Sequence, residues 1–305
     1  MGATPALIKE LRELTGSGMT DCKKALDETG GDIKKAIEFL REKGLAAAAK
    51  KSGRIAAEGV VAVKVEKGKA VLVEVNCETD FVAINPDFKA YVDEIAEQLF
   101  ASSASDVPSF MAEAWAKGGG TVEEVLKGKI ATIGENLNIR RFARFETNNV
   151  ITSYIHGGGK IGVVLTIDGP DNDLVKEMGY NLCMQIAALF PRYLRVEDVD
   201  QEYLDSERKI LDTAAKNDPD NANKPANIIE KMVEGRINKQ LKEICLLEQE
   251  YVRDTSMTVK AYVESIAKEV GQAVNLVNFE CFEKGAGIEK KQEDFAEEVA
   301  KAMQG

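Results

Sequence analysis

The sequence contains little histidine and little cysteine, with one histidine and five cysteines in 305 residues. None of the cysteines forms a CxxC pair or lies at ligand spacing from a histidine; they are Cys22, Cys77, Cys183, Cys245 and Cys281. We therefore expect neither a disulfide framework nor a zinc site, and we predict buried free thiols. The single histidine, His156, has no second histidine or glutamate at ligand spacing, so no metal and no cofactor is implied.

Long hydrophobic runs are also missing. No stretch approaches the roughly 18 to 20 consecutive apolar residues that a membrane-spanning helix needs. The N-terminus, MGATPALIKELREL, is amphipathic and carries both charges, unlike a signal peptide. With 44% hydrophobic residues the chain has enough apolar material for a sizeable core. We expect a soluble, cytoplasmic protein of two or three domains that makes no membrane contact.

Positive charge is scarce outside the N-terminal region. The net charge is −11, yet residues 1–55 hold 11 Lys or Arg against 8 Asp or Glu. The remaining residues are therefore strongly acidic, and direct nucleic-acid binding is not expected there, because each phosphate contact needs a cation that displaces a counterion. A protein partner, or an RNA-rich machine met through the small basic end, fits this distribution better.

A catalytic centre is not visible in the pattern. Residues 157–160, GGGK, superficially resemble a phosphate-binding loop, but Ile161 stands where Ser or Thr is required. Catalysis needs a nucleophile, a base and a preorganised site. Cys77 follows a predicted strand without a basic neighbour that would lower its pKa. We expect no enzyme, and a cysteine-based hydrolase stays open as an alternative function.

Chain breakers divide the N-terminal region into three predicted helices. These run from Thr4 to about Leu14, from Met19 to about Glu28, and from Asp32 to about Lys43. Apolar residues at three- and four-residue spacing are expected to close one small core: Leu7, Leu11, Leu14, Met19, Cys22, Ala25, Leu26, Ile33, Ile37 and Leu40. Residues 45–58 are small and basic and predict a linker, whose first half is compatible with a helix.

From Gly59 the hydrophobic period changes to two, which is typical of strands. Alternating valines predict strands around residues 61–65 and 71–75, joined by a turn at 67–69. Asn85 and Pro86 then begin a helix with one apolar face, made by Phe88, Tyr91, Val92, Ile95 and Leu99. A helix at 121–135 and a third strand at 138–146 complete this half.

The same plan is repeated in the second half. Strands at 150–156 and 160–168 flank a glycine turn, and a long helix at 172–190 follows. Residues 274–282 are the candidate third strand of this sheet. Two helices at about 200–216 and 226–243, separated by NDPDN and Pro225, predict an antiparallel helical hairpin. Further helices are predicted at 259–270 and 292–303.

The stretch NCETDFVAINPD, residues 76–87, admits two interpretations. In the first, Thr79 and Asp80 cap a short helical turn while Phe81, Val82 and Ile84 fold back under the sheet. In the second, the stretch is a presented loop whose aromatic tip anchors a partner. The local pattern does not choose between them.

Several motifs together resemble one family, translation elongation factor Ts. They are LRELTGSGMTDCKKAL, GGDIKKAIEFLREKG, EVNCETDFVA, GENLNIRR, SYIHGGGKIGVVL and IIEKMVEGR, in that order along the chain. The resemblance extends from about residue 5 to the C-terminus. It implies a guanine-nucleotide exchange factor that binds elongation factor Tu with GDP or without nucleotide and promotes GDP release during translation elongation.

The fold that this resemblance implies agrees with the pattern and is of the α+β class. It contains a small three-helix module, two related α/β subdomains with antiparallel three-stranded sheets, a protruding helical hairpin and a C-terminal helical module. The three-helix module, which is similar to ubiquitin-associated domains, is expected at 1–55 together with its linker. Core subdomain N is expected at 56–147, and core subdomain C at 148–282 with the hairpin inserted at about 198–243. The C-terminal module is expected at 283–305. A homodimer through the hairpin stays open.

The resemblance also implies which residues contact the partner. Thr79-Asp80-Phe81-Val82 matches the family's TDFV motif, in which the aromatic and acidic side chains enter the G domain and disturb its magnesium site. Other matching positions are His156, Ile133, Gly134, Met19, Lys23 and Val252. Arg253 stands where some family members have an apolar residue, which weakens the expectation for Val252.

Each of these positions also has a simpler explanation. His156 can be a hydrogen-bonded histidine at a strand end, Met19 a core residue, and Lys23 part of a solvated helix face. The helix predicted at 292–303 is expected to pack on the G domain or else to cap the core. A ubiquitin-type adaptor, based on the N-terminal module alone, is the second alternative function.

Overall fold

The computed structural model describes residues 3–221 and 224–289. It has the predicted α+β fold and begins with three helices, α1 (Pro5–Thr15), α2 (Met19–Glu28) and α3 (Ile33–Lys51). The side chain of Thr4 caps α1, and that of Asp32 caps α3. Their small common core contains five fully buried residues, Leu11, Cys22, Ala25, Leu26 and Ala36.

Two predictions for this module are wrong. Leu14, Met19 and Ile37 are exposed rather than part of the core, because three short helices enclose only one narrow apolar stripe each. The third helix does not end near Lys43 but continues to Lys51, and this confirms the helical first half that the sequence allowed for the linker. The run of alanines favours helix, and Gly44 and Ala48 are buried where α3 packs on a later helix at Val122–Ile133.

The first sheet is formed by an antiparallel hairpin and a later strand. Strands β1 (Glu58–Glu66) and β2 (Lys69–Cys77) pair as predicted, and β3 (Asn138–Glu146) lies on the other side of β2. Between β2 and β3 the chain forms α4 (Asp80–Ile84), α5 (Pro86–Ala101), α6 (Val107–Ala112) and α7 (Val122–Ile133). The predicted apolar face of α5 is buried on the sheet.

The second half repeats this plan with strands β4 (Val150–His156) and β5 (Ile161–Asp168), followed by α8 (Asp173–Leu189). Helices α9 (Gln201–Asn217) and α10 (Ala226–Ile244) pack against each other and form the predicted hairpin. A small ladder that was not predicted, β6 (Glu250–Tyr251) with β7 (Asp254–Thr258), precedes α11 (Val259–Val270). Finally β8 (Asn275–Glu283) pairs with β5 and confirms the predicted third strand.

The two sheets pack directly on each other. A shared cluster includes Val61 and Leu72 of the first sheet and Val164 and Phe282 of the second. At Gly162 a Cβ atom would lie 2.5 Å from Val61 Cγ1, so only glycine allows this close approach. The sheets therefore form one rigid support for the loops at their ends.

After β8 the chain returns to the first sheet. Lys284 forms an ion pair with Glu58, and the amide of Gly285 donates to Glu74 Oε1 at 2.7 Å. Gly285 has φ +69°, and a Cβ there would lie 2.1 Å from the carbonyl oxygen of Ala57. Only glycine therefore fits this crossing. The helix predicted at 292–303 lies outside the described residues.

Glu74 is a fully buried carboxylate that joins these parts. Its oxygens also accept from Arg140 Nη1 at 2.9 Å and Arg141 Nε at 2.6 Å. Burial acts to raise the pKa of Glu74, but the amide of Gly285, Asn76 and the two guanidinium groups outweigh it and hold the pKa below its ordinary value. Glu74 therefore stays ionised and binds the segment that follows β8.

Candidate partner-binding site

The turn that carries TDFV combines features of both sequence interpretations. Thr79 is the N-cap of α4, and its hydroxyl accepts from the amide of Val82 at 3.3 Å. Phe81 is nevertheless 79% exposed and Ile84 67% exposed, so neither folds under the sheet. Ala83 is buried and anchors the helix to the core. The capping half of the first interpretation is confirmed and its burial of Phe81 and Ile84 is wrong, whereas the exposed aromatic tip agrees with the second interpretation.

A carboxylate from a distant part of the chain fixes this turn. Glu135 Oε2 accepts from the amides of Glu78 and Thr79 at 2.9 and 3.0 Å, and its Oε1 accepts from the Thr79 hydroxyl at 2.5 Å. In return, Glu78 Oε1 accepts from the amide of Asn136 at 2.6 Å. Charge-assisted bonds of this kind are stronger than neutral ones, so the turn has one well-defined conformation. The sequence analysis missed Glu135.

The end of α3 joins the same unit. Lys51 Nζ donates to the carbonyl oxygen of Gly134 at 2.6 Å, and Asn136 Nδ2 donates to the carbonyl oxygen of Arg54 at 2.8 Å. Gly134 ends α7 with φ 90°, a left-handed conformation that suits glycine. Ile133 precedes it and is half-buried against the core. The structure thus brings Ile133 and Gly134 next to the TDFV turn, as two predicted contact positions on one surface.

Cys77 lies under this turn and is fully buried. Its thiol donates to the carbonyl oxygen of Thr79 at 3.2 Å. Burial, with Glu135 and Glu58 nearby, raises the pKa of Cys77 to about 12. A protonated and inaccessible thiol is a poor nucleophile, so the cysteine-based hydrolase is disfavoured at this position.

His156 ends β4 and is exposed. Its Nδ1 forms a hydrogen bond with the hydroxyl of Tyr154 at 2.9 Å. The simpler explanation, a hydrogen-bonded histidine at a strand end, therefore accounts for this nitrogen. The following glycine turn rests on the first sheet, where the carbonyl oxygen of Gly159 accepts from the amide of Val61 at 2.8 Å. The ring is thus held in place while it faces solvent.

Val252 lies in the tight turn between β6 and β7 and is exposed. Its amide donates to Gln185 Oε1 at 2.8 Å. Arg253 turns away from it, and its Nη1 donates to Asn181 Oδ1 on α8 at 2.6 Å. The Arg253 side chain is thus bound to α8, and Val252 beside it is exposed.

Met19 and Lys23 lie one turn apart on α2 and are both exposed. Helix α2 packs on α1 and α3. These two residues therefore belong to the surface of the N-terminal module, whereas the TDFV turn belongs to the first sheet.

Within the described ranges, no group of three or more His, Cys, Asp or Glu side chains is arranged to hold a metal ion. The same part of the chain contains no helix that is both long and apolar enough to span a membrane. The geometry of the TDFV turn is that of a presented surface, with the exposed side chains of Phe81 and Ile84 on a turn that Glu135 holds by hydrogen bonds.

Comparison with known proteins gives one consistent family. The family model described as elongation factor TS matches residues 78–286. The chain is 51% identical over 306 residues to elongation factor Ts of Clostridium tetani (strain Massachusetts / E88), covering 99% of both chains. It is 49% identical over 303 residues to elongation factor Ts of Clostridioides difficile (strain 630), covering 98% of both. At this level of identity and coverage, the chain belongs to the elongation factor Ts family.

Proposed function

We propose that this chain is a guanine-nucleotide exchange factor that binds elongation factor Tu, disturbs its magnesium and phosphate site and releases GDP. One observation carries the proposal: Phe81 is 79% exposed on a turn that Glu135 holds by three hydrogen bonds. A large apolar side chain that is rigidly displayed is typical of an interface anchor. Membership of a family known for this exchange activity supports the same function.

The mechanism follows from the properties of a magnesium site. Magnesium requires nearly ideal octahedral geometry at about 2.0 to 2.1 Å, so a small shift of a supporting element weakens several ligands at once. In the proposal Phe81 enters the partner as a wedge, and Asp80 next to it provides the polar contact. Burying a phenylalanine side chain contributes about 1.5 to 3 kcal/mol, which offsets part of the distortion.

Rigidity is essential to this mechanism. A mobile loop would lose conformational entropy on binding, whereas a preordered turn loses little. The Thr79 hydroxyl caps the helix and donates to Glu135, and Val82 packs against the core. These two residues of the motif therefore hold Phe81 and Asp80 in position rather than acting as the wedge.

The coupling between nucleotide and factor is reciprocal. If this chain lowers the affinity of elongation factor Tu for GDP by some factor, bound GDP lowers the affinity of elongation factor Tu for this chain by the same factor. Fresh nucleotide therefore expels the chain, and no covalent chemistry is involved. The proposed role is that of a non-enzymatic factor which acts in the cytoplasm during translation elongation.

The remaining contacts are proposed with their structural support. Ile133 and Gly134 lie beside the TDFV turn, and His156 presents its ring from a turn that rests on β1. Val252 is exposed in the β6–β7 turn, and Met19 and Lys23 form a further exposed patch on α2. Alanine at each position should weaken complex formation, and unchanged affinity would remove that position from the interface.

The division of the chain is part of this proposal: an N-terminal module at 1–55, core subdomains at 56–147 and 148–282, and a C-terminal module at 283–305. We also propose that the hairpin inserted at about 198–243 is able to pair two copies. Ile210 on α9 and Ile228 on α10 are exposed apolar side chains there. Sedimentation of the native chain beside Ile210→Asp tests this, and an identical mass that is monomeric for both would contradict it.

The exchange function is tested by nucleotide release. Elongation factor Tu loaded with a fluorescent GDP analogue is mixed with this chain and excess unlabelled GDP, at low and high magnesium. The proposal predicts release that accelerates with the concentration of this chain and slows at high magnesium. If release stays at the intrinsic rate while the partner exchanges normally with EDTA, the proposed function is wrong.

A further inference from the structure

An apolar groove lies between α3 and α7, with a cavity of about 640 Å³. Its floor is built from buried side chains, Ala48, Leu126, Ile130 and Leu137. Leu45 and Ile55 also line it and are 36% and 42% exposed. Apolar side chains of this size gain free energy when they are covered, so the groove is suited to an apolar occupant.

The described chain leads into this groove. Ile288 lines it, one residue before the last described position, Glu289. The amide of Ile288 donates to the carbonyl oxygen of Gly285 at 3.0 Å, and Gly285 is bound by Glu74 at 2.7 Å. The exit point of the chain is therefore fixed. The 16 residues 290–305 follow from there, and a helix of that length would measure about 24 Å.

The sequence of this segment has the pattern of an occupant. Phe295, Val299 and Met303 recur every fourth residue, which places them on one side of the helix predicted at 292–303. Glu297 and Lys301 fall on the opposite side. The segment thus offers one continuous apolar stripe and one charged face.

We propose that residues 290–305 dock in this groove of their own chain in the free protein, with Phe295 and Val299 covering Leu45 and Ile55. The segment starts at the groove, and its tether makes the local concentration high, so that little chain entropy opposes docking.

Docking has a consequence for the partner-binding turn. Asn136 lines the groove, and its amide donates to Glu78 Oε1 at 2.6 Å, directly before the TDFV motif. Arg54 also lines the groove and lies 3.5 Å from the same oxygen of Glu78. The docked segment would therefore contact residues that hold Glu78 next to the TDFV motif.

The proposal is tested by a disulfide in the full-length chain without any partner. Ala49 lines the groove and is exposed. In the Ala49→Cys, Val299→Cys variant, mild oxidation should form a disulfide within one molecule, detected by mass spectrometry. The matched control, Ala49→Cys with Lys301→Cys, places the thiol on the charged face and should form much less. Equal yields from both variants would overturn docking, and so would disulfides found only between two molecules.

A second measurement needs no new cysteine. Phe295→Ser in the full-length chain should shift the methyl NMR signals of Leu45 and Ile55, because an aromatic ring leaves their vicinity. Glu297→Ser on the charged face should leave these signals in place. Unchanged signals in the Phe295→Ser variant would overturn the proposal. Neither measurement involves nucleotide or elongation factor Tu, so failure here is distinct from failure of the exchange function.

Discussion

The carboxylate of Glu135 accepts hydrogen bonds from both the amide and the hydroxyl of Thr79, at 3.0 and 2.5 Å. The two residues are 56 positions apart in the chain. This contact ties the second residue after α7 to the turn before α4. It explains how an exposed phenylalanine two residues after Thr79 keeps a fixed position.

Removing that carboxylate should loosen the turn. We expect Glu135→Ala to lower the free energy of unfolding by about 2 kcal/mol, because three donors lose a charged acceptor in a half-buried site. GDP release from elongation factor Tu should slow as well. Denaturant unfolding and the release assay measure the two effects.

The matched control is Glu123→Ala. Glu123 lies in the first turn of α7 and forms only an exposed ion pair with Lys127, which contributes little to stability. The free energy of unfolding and the rate of GDP release should both stay close to those of the native chain. If Glu135→Ala behaves like this control, Glu135 does not position the turn.

Glu74 makes stability depend on pH. Its pKa is held below the ordinary value in the folded chain, so its contribution is fully present above the unfolded pKa of about 4.5 and is lost as the pH falls through the folded pKa. At pH 7 we expect Glu74→Gln to lower the free energy of unfolding by about 2 kcal/mol. The difference between variant and native chain should shrink as the pH falls towards 3. A difference that is constant with pH would contradict this account.

Two glycines after β8 test whether this segment is held against Ala57 of the first half of the chain. Gly285 and Gly287 both have left-handed φ values, 69° and 74°. A Cβ at Gly285 would lie 2.1 Å from a backbone oxygen, whereas at Gly287 it meets nothing within 4 Å. Gly287→Ala should therefore cost about 1 kcal/mol from the backbone alone, and Gly285→Ala distinctly more. Equal destabilisation in thermal unfolding would show that the segment is not held against Ala57.

Local pattern predicted those parts of the fold whose signals are local. The alternation of valines gave β1 and β2, and Asn85 with Pro86 gave the start of α5, where Asn85 caps the helix in the structure. The missed α6 is only six residues long, too short for a periodic signal. The end of α3 was left open, because the alanine run allows a helix while its packing against α7 is not visible in the α3 sequence.

The site shows the same division. Thr79 as a helix cap was readable, because capping involves residues three positions apart. Local pattern left the exposure of Phe81 open, although the family resemblance implied it, and the role of Glu135 was missed, because both depend on contacts between distant parts of the chain. Glu135 stands directly after Gly134 in the motif GENLNIRR, but its role became visible only when the structure brought the end of α7 to the end of β2.

The most direct test of the account compares Phe81→Ala with Leu14→Ala, a change at another exposed apolar residue. Phe81 and Leu14 are 79% and 61% exposed, so both variants should unfold within about 0.5 kcal/mol of the native chain. If Phe81 is the wedge, the loss of about 1.5 to 3 kcal/mol of burial should reduce stimulated GDP release roughly 10- to 150-fold. Leu14→Ala should release GDP at the native rate. Native-like release by a folded Phe81→Ala chain would contradict the central claim.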